Sequence, residues 1–271
     1  MHTNSSTPEL HLSLEEVVVL LNLMGHTLLA RETLHAITGH ISVDEERGRL
    51  LAANCSLLAS GAFQPTDDGM QIDPANTRLL APLADNRFVV RCAAREPGRP
   101  EDVVMFYVQD DLVVEQRIEY EVAHTLREVT AADASATCRS LLDLDRPATF
   151  QATAFNLTDE QLEEARRLTV DGTEEAGNFL RGPELDDNTI ALFVDDLFHQ
   201  RRRGSVVRLE IDTNAETVRD SGFLWLRGQS GRGWLLTHET SAGDPMVYVR
   251  PANTRLVRQS LAAAFAPRST V

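Results

Sequence analysis

The chain has 271 residues, with 26 arginines against 41 acidic side chains and not one lysine, so its formal net charge is -15. Without lysine, every chemistry that needs that amine is excluded: the Walker A loop, the protein-kinase strand lysine, S-x-x-K hydrolysis and Schiff-base catalysis. A surface at -15 with no basic stripe repels polyphosphate, which argues against nucleic acid as a partner.

Met1 to Leu12 is polar and lacks the basic flank and long apolar run of a secretory signal. Apolar runs such as Val17 to Leu21 are far too short to span a membrane. Ser13 with Glu16 is a capping-box pattern ahead of Val17, Val18, Leu20, Leu21 and Leu23, and Gly25 offers the stop. A short helix is expected over Arg31 to Ile37, ended by Gly39. Ser42 with Glu45 opens a longer one whose Leu50, Leu51, Asn54, Leu57 and Leu58 share a face, closed by Gly61. Three helices followed by a two-stranded wing, Ala62 to Asp73 turning at Asp67-Asp68-Gly69, give a winged-helix-like outline.

After a short helix from Pro74 the apolar period changes from about 3.6 to 2. Phe88, Val90, Cys92 and Ala94 alternate, Val103 to Val108 is continuous, and Leu112, Val114, Ile118, Tyr120 and Val122 alternate again. Turns at Glu96 to Pro100 and Gln109 to Asp111 make this an antiparallel meander of three strands, the last one long. A helix over Asp133 to Leu142 follows, and Asp143 to Ala148 is the candidate linker. The domain expectation is therefore two halves, 1–142 and 149–271.

The second half repeats the grammar. Thr158 and Gln161 form a third capping box before Leu162 to Leu168. Ile190, Phe193, Val194, Leu197 and Phe198 form an amphipathic stripe, with Arg201-Arg202-Arg203-Gly204 as its last turn and stop. Strands are expected at Val206 to Ile211, Phe223 to Leu226, Trp234 to Thr237 and Met246 to Val249, then a terminal helix over Asn253 to Phe265. The hexapeptide Pro74 to Leu79 recurs as Pro251 to Leu256. Two strand-to-helix corners of similar shape and an internal duplication both explain it.

Catalytic spacing is absent. The eight histidines include one close pair, His35 and His40, with no H-E-x-x-H, and Cys55, Cys92 and Cys138 make no C-x-x-C, so neither a metal nor another cofactor is expected. Three widely spaced cysteines read as buried thiols of a reducing compartment, and the working expectation is a bacterial cytoplasmic protein. Acid pairs at Asp67, Asp110, Asp186 and Asp195 are explained by turns, a helix start and, for Asp195-Asp196, the polar side of a helix. Gly228 to Gly233 fits neither G-x-G-x-x-G nor G-x-S-x-G and reads as a hairpin turn. DNA readers carry basic residues on the recognition helix and wing, whereas here Arg47 and Arg49 sit beside Asp44, Glu45 and Glu46.

The strands around Gly231-Arg232-Gly233-Trp234-Leu235, the strand Met246 to Val249, and Arg250-Pro251-Ala252 leading into a terminal amphipathic helix resemble the C-terminal end of ESX secretion-associated proteins of the EspG family. Leu14 to Gly25 ahead of helices, a wing and a meander is similar to that family's N-terminal half. The resemblance implies a central antiparallel sheet flanked by helices, with the halves in a pseudo-two-fold relation, their strands either joined in one sheet or kept apart. It implies a cytosolic chaperone that binds PE-PPE substrate pairs of type VII secretion and keeps them soluble. The family uses a loop between meander strands and its C-terminal helical region, which here match Arg95 to Asp102 and Asn253 to Phe265. Candidate partner-binding residues are thus Arg95, Glu96, Arg99, Asn253, Leu256, Val257, Leu261 and Phe265.

The expectation is an α+β protein acting as a non-enzymatic, protein-binding chaperone or adaptor, its partner another protein such as a secreted helical substrate. Two rivals are a winged-helix transcriptional regulator with a ligand-sensing sheet, and a hydrolase with a dispersed site built on Ser230 and His238.

Overall fold

In the computed structural model the chain is α+β and forms two compact units, one holding residues up to Val89 together with Val104–Thr130, the other Val90–Val103 and everything from Ala131 on. The structure describes residues 9–39, 41–67, 69–120, 122–145, 147–170, 172–182, 185–212, 217–239 and 246–266.

In chain order the elements begin with β1 (Glu9–Ser13), α1 (Leu14–Leu23), α2 (Thr27–Thr38), α3 (Val43–Ser60), the hairpin β2 (Phe63–Thr66) and β3 (Gly69–Ile72), and α4 (Pro74–Ala84). Then follow β4 (Phe88–Arg95), which runs on into the second unit, β5 (Asp102–Gln109), β6 (Leu112–Glu119) and β7 (Ala123–Val129). The first unit's strands lie in the order β1-β7-β6-β5, all antiparallel. Ser13 and Glu16 close the expected capping box, with the Ser13 Oγ accepting from the Glu16 N–H and the Glu16 carboxylate from the Ser13 N–H. α1 is buried on all sides over Val17–Leu21 and packs on α2, α3 and the sheet, so an apolar run without polar interruption becomes the centre of the unit.

Three sequence expectations change in this unit. The long strand over Leu112 to Val122 is two strands, because the chain turns at Tyr120, whose φ is +52°, and comes back as β7. The alternation ran through the turn unnoticed because Tyr120 and Val122 are exposed there. In α3 the buried face is Ala53 and Leu57 with Leu50 beside them, while Leu51 and Leu58 face solvent. The hairpin β2–β3 is present, with Thr66 opposite Gly69, and Asp68 of its turn lies outside the described residues. Arg49, expected among acids, bonds Glu45 and Glu15.

Inside this unit runs an uncharged polar chain. The Tyr107 hydroxyl donates to Gln116 Oε1 at 2.9 Å, Gln116 Nε2 lies 2.8 Å from His124 Nδ1, and the buried His124 Nε2 has no partner. Burial pushes the Tyr107 phenol up to about 12 and lowers the His124 pKa, the latter opposed by the charge of Glu15.

The second unit continues with α5 (Ala131–Leu141), β8 (Phe155–Thr158), α6 (Asp159–Leu168), α7 (Thr173–Leu180), α8 (Asp187–Phe198), β9 (Gln200–Asp212), β10 (Thr217–Gly228), β11 (Gly233–Glu239), β12 (Met246–Pro251) and α9 (Thr254–Phe265). Its strands lie in the order β4-β9-β10-β11-β12-β8. Because side chains alternate along a strand, the two faces hold different residues. One carries Leu226, Trp234, Leu236, Val247, Val249, Phe155 and Leu157 beneath α6, α7 and α8, where Phe155, Phe193 and Trp234 pack edge to face. The other carries Val206, Arg208 and Trp225, covered by α5 and α9, and the buried Arg208 donates to the C-terminal carbonyls of Ala264 and Ala266. Cys92 of β4 and Cys138 of α5 are buried here, and the hydrogen bond between the two thiols together with burial raises the Cys92 pKa far above its usual value.

Here too the structure corrects the reading. α8 ends at Phe198, and Arg201 to Arg203 begin β9 instead of finishing a helix. Gly204 is no stop but a mid-strand close approach: a Cβ there would lie 2.2 Å from the Ala93 carbonyl oxygen. The linker at Asp143 to Ala148 is held in place, since Arg227 donates to the Asp143 and Asp145 carbonyls and the Ala148 N–H to the Gly231 carbonyl, while Arg146 lies outside the described residues. The repeated hexapeptide folds in two ways. In the first copy Asp73 caps a helix that starts at Pro74, whereas in the second Pro251 ends β12 and Asn253 caps a helix that starts at Thr254.

Candidate protein-docking groove

A single residue, His199, separates the end of α8 from the start of β9. A groove of about 380 Å³ lies there between α6, the end of α8 and strands β4, β9 and β10. The register puts Arg203 opposite Leu226 and Ser205 opposite Leu224, so these four share the groove's face. Leu197, Leu224, Leu226 and Leu236 form an apolar floor, and Arg95, Glu101, Glu163, Arg166 and Arg203 stand around it.

The charges of the walls are unequal. Glu101 is paired with Arg91 at 2.7 Å and Glu163 with Arg166 at 2.5 Å. No hydrogen bond or ion pair engages the guanidinium of Arg95 or Arg203 among the described residues. On a chain at -15 the groove's walls thus hold three arginines against two glutamates, with Arg95 and Arg203 the unpaired pair.

The end of α8 is fixed by a buried acid. Asp196 is fully buried and accepts from Trp234 Nε1 at 2.8 Å, Arg232 Nε at 2.8 Å and Ser230 Oγ at 2.9 Å. Arg232 also reaches Asp195, whose other oxygen lies 3.0 Å from His199 Nδ1. Gly228 is required by closeness, since a Cβ there would stand 1.8 Å from Asp196 Oδ1. The glycine-rich stretch is thus the expected hairpin turn, but Asp196 is not on a polar helix side. It clasps that turn onto α8 and so sets one wall of the groove.

The same contacts bear on hydrolysis. Ser230 sits in the turn and donates to a carboxylate, while His238 lies five residues beyond Gly233, about 17 Å along β11, where it faces Asp159 at 3.7 Å. The two candidate catalytic groups are not brought together. Among the described residues no three His, Cys, Asp or Glu side chains gather as a metal site would need, and no helix is long and apolar enough to cross a membrane.

The sequence-derived partner residues fall into two sets. Arg95, Glu96 and Arg99 gather at the β4–β5 turn. Arg95 lines the groove, while the Arg202 guanidinium bonds Glu96 and holds its carboxyl below the usual range, and Arg99 pairs with Glu96 at 3.2 Å. Asn253, Leu256, Val257, Leu261 and Phe265 belong to α9 on the opposite sheet face, where Asn253 is the cap and Val257 and Leu261 are buried. Arg166, Arg203 and Leu224 were missed. For Arg203 the signal was the arginine triplet read with period 2, which sends Arg202 to Glu96 and Arg203 to the groove.

No known family profile matches the sequence, and none of the curated proteins does. The solved structures do give a match, and it is one of fold: the chain is similar to the Mycobacterium tuberculosis type VII secretion system chaperone EspG5, solved in complex with a PE25-PPE41 dimer, at TM-score 0.65 and 15% identity over 95% of both chains. The expected α+β class, with antiparallel strands flanked by helices, and the likeness of fold to that family are both met.

Proposed function

We propose that this protein is a non-enzymatic chaperone or adaptor that holds an exposed apolar segment of a partner protein in the groove beside α8, and that it works in the cytoplasm on a helical secretion substrate. The observation that carries this reading is the leucine-lined groove at the end of α8, with half-buried Leu224 above the buried Leu197, Leu226 and Leu236, on a chain otherwise acidic enough to stay in solution. The likeness of fold to a secretion chaperone bound to its PE-PPE dimer supports the same class of partner. Burial of apolar area supplies affinity, and the charged rim sets orientation.

The test is affinity purification from the native host, with the wild type and a Leu224→Asp variant compared by size exclusion, mass spectrometry and cross-linking. A stoichiometric helical partner cross-linked at the groove, lost in the variant while its melting temperature is kept, is the expected outcome. A wild type that elutes alone and monodisperse, indistinguishable from the variant, would overturn the reading.

A further inference from the structure

We infer that the segment docked in the groove is acidic, a helix carrying two carboxylates one turn apart beside its apolar residues. This rests on the docking reading above and adds the partner's charge to it.

The argument starts from what is already neutralised. Glu101 and Glu163 could have satisfied the groove's arginines, but each is engaged by another group, Arg91 and Arg166 respectively. Arg95 and Arg203 are left over, on a chain with 41 acids to 26 arginines and no shortage of possible internal partners. Elsewhere in this unit arginines are tied down: Arg202 to Glu96, Arg227 to Asp143, and Arg232 to both Asp195 and Asp196. Arg255 and Arg258 engage no acid among the described residues either, but they belong to α9, whereas Arg95 and Arg203 line the opening.

Their spacing points to a helix. β4 and β9 are adjacent in the sheet, and Gly204 abuts the backbone of Ala93 and Ala94, so Arg203 and Arg95 stand on neighbouring strands about 5 to 10 Å apart. Carboxylates at i and i+4 of a helix have Cβ atoms about 5 to 6 Å apart, close enough for each to meet one guanidinium. Guanidinium forks bind carboxylates bidentately, which fixes orientation as well as charge. A partner segment with basic flanks would face the like charge of these two guanidiniums.

The experiment uses the full chain and three synthetic helical peptides with one leucine stripe. In the first, the flanking i and i+4 positions are Glu, in the second Gln, in the third Arg, and binding is followed by fluorescence anisotropy at low and high salt. The Glu peptide is expected to bind roughly tenfold tighter than the Gln peptide at low salt, with the difference shrinking at high salt. In the Arg95→Gln/Arg203→Gln double variant, both peptides should bind as the Gln peptide binds wild type. A melting curve equal to wild type confirms that the variant folds. Equal binding of the Glu and Gln peptides, tightest binding of the Arg peptide, or a Glu preference that survives the double variant each overturns the inference and leaves the docking reading standing. If none of the three binds, the docking reading itself falls and takes this inference with it.

Discussion

One buried polar cluster from each unit can be set side by side, and these two are built on opposite terms. In the second unit a charged carboxylate, Asp196, meets an arginine, an indole N–H and a hydroxyl, so little of its hydrogen-bonding capacity is unused. In the first unit a neutral chain, Tyr107 to Gln116 to His124, ends in a ring nitrogen with nothing to bond. A buried charge is tolerable only when nearly every donor and acceptor around it is matched. A neutral chain can end in an orphan at the smaller cost of one lost hydrogen bond. The first arrangement is strong until one member is removed, and the second is weak at one known atom and sensitive to protons.

The largest expected effect breaks the charged cluster. Asp196→Ala leaves the Arg232 guanidinium and the Trp234 Nε1 without their acceptor, and should lower unfolding stability by about 3 to 5 kcal/mol in urea titrations. Since the same carboxylate holds the 228–233 turn to α8, a destabilised but folded variant should also lose affinity for whatever occupies the groove. Next comes the pH limb of the neutral cluster. Burial lowers the His124 pKa in the fold, so the unfolded chain takes up the proton first. The stability associated with neutral His124 is complete above its unfolded value near 6.5 and erodes as pH falls from there toward the lower folded value. Stability measured from pH 7 downward should therefore decline with a slope of at most about 1.4 kcal/mol per pH unit from this group, and His124→Leu should flatten that part of the curve. An unchanged slope in the variant would place the acid sensitivity elsewhere. The smallest effect is Tyr107→Phe, which strips one donor from Gln116 and should cost about 1 kcal/mol in the same titration, with no change in pH dependence.

Much of the local structure was legible in the sequence because its causes are local. The capping boxes at Ser13 and Thr158 need only four residues, and both formed as expected. The stripe over Ile190 to Leu197 needs one helix face to be apolar, and it is buried. The hexapeptide shows where this stops. Identical residues begin a helix at Pro74 but at Thr254 in the second copy, since β12 pairs with β11 through Pro251 and keeps the backbone extended until Asn253. Strand pairing is a decision made by distant residues, and no six-residue window contains it.

The candidate site was legible only in part for the same reason. Arg95 could be reached from the turn it borders, but Arg203 looked like a helix end because three arginines and a glycine after an amphipathic stripe satisfy every local rule for one. Asp196 looked solvated because its three donors lie 34 to 38 residues further along the chain. The apolar face of α9, which looked available for a partner, is consumed by packing on β9, β10 and α5.

Along β9, Arg202 and Arg203 do different jobs only because neighbours on a strand point opposite ways: one bonds Glu96 and the Leu141 carbonyl, the other stands free over the leucine floor. The two roles are separated by one step of strand register and nothing else. Inserting a single residue before Arg202 would exchange them, turning the anchor toward the partner and the partner's contact toward the anchor. In the docking reading proposed above, which arginine meets the partner is thereby written into the phase of a strand, and a frame shift of one residue would detach Glu96 from its anchor while leaving the local composition almost unchanged.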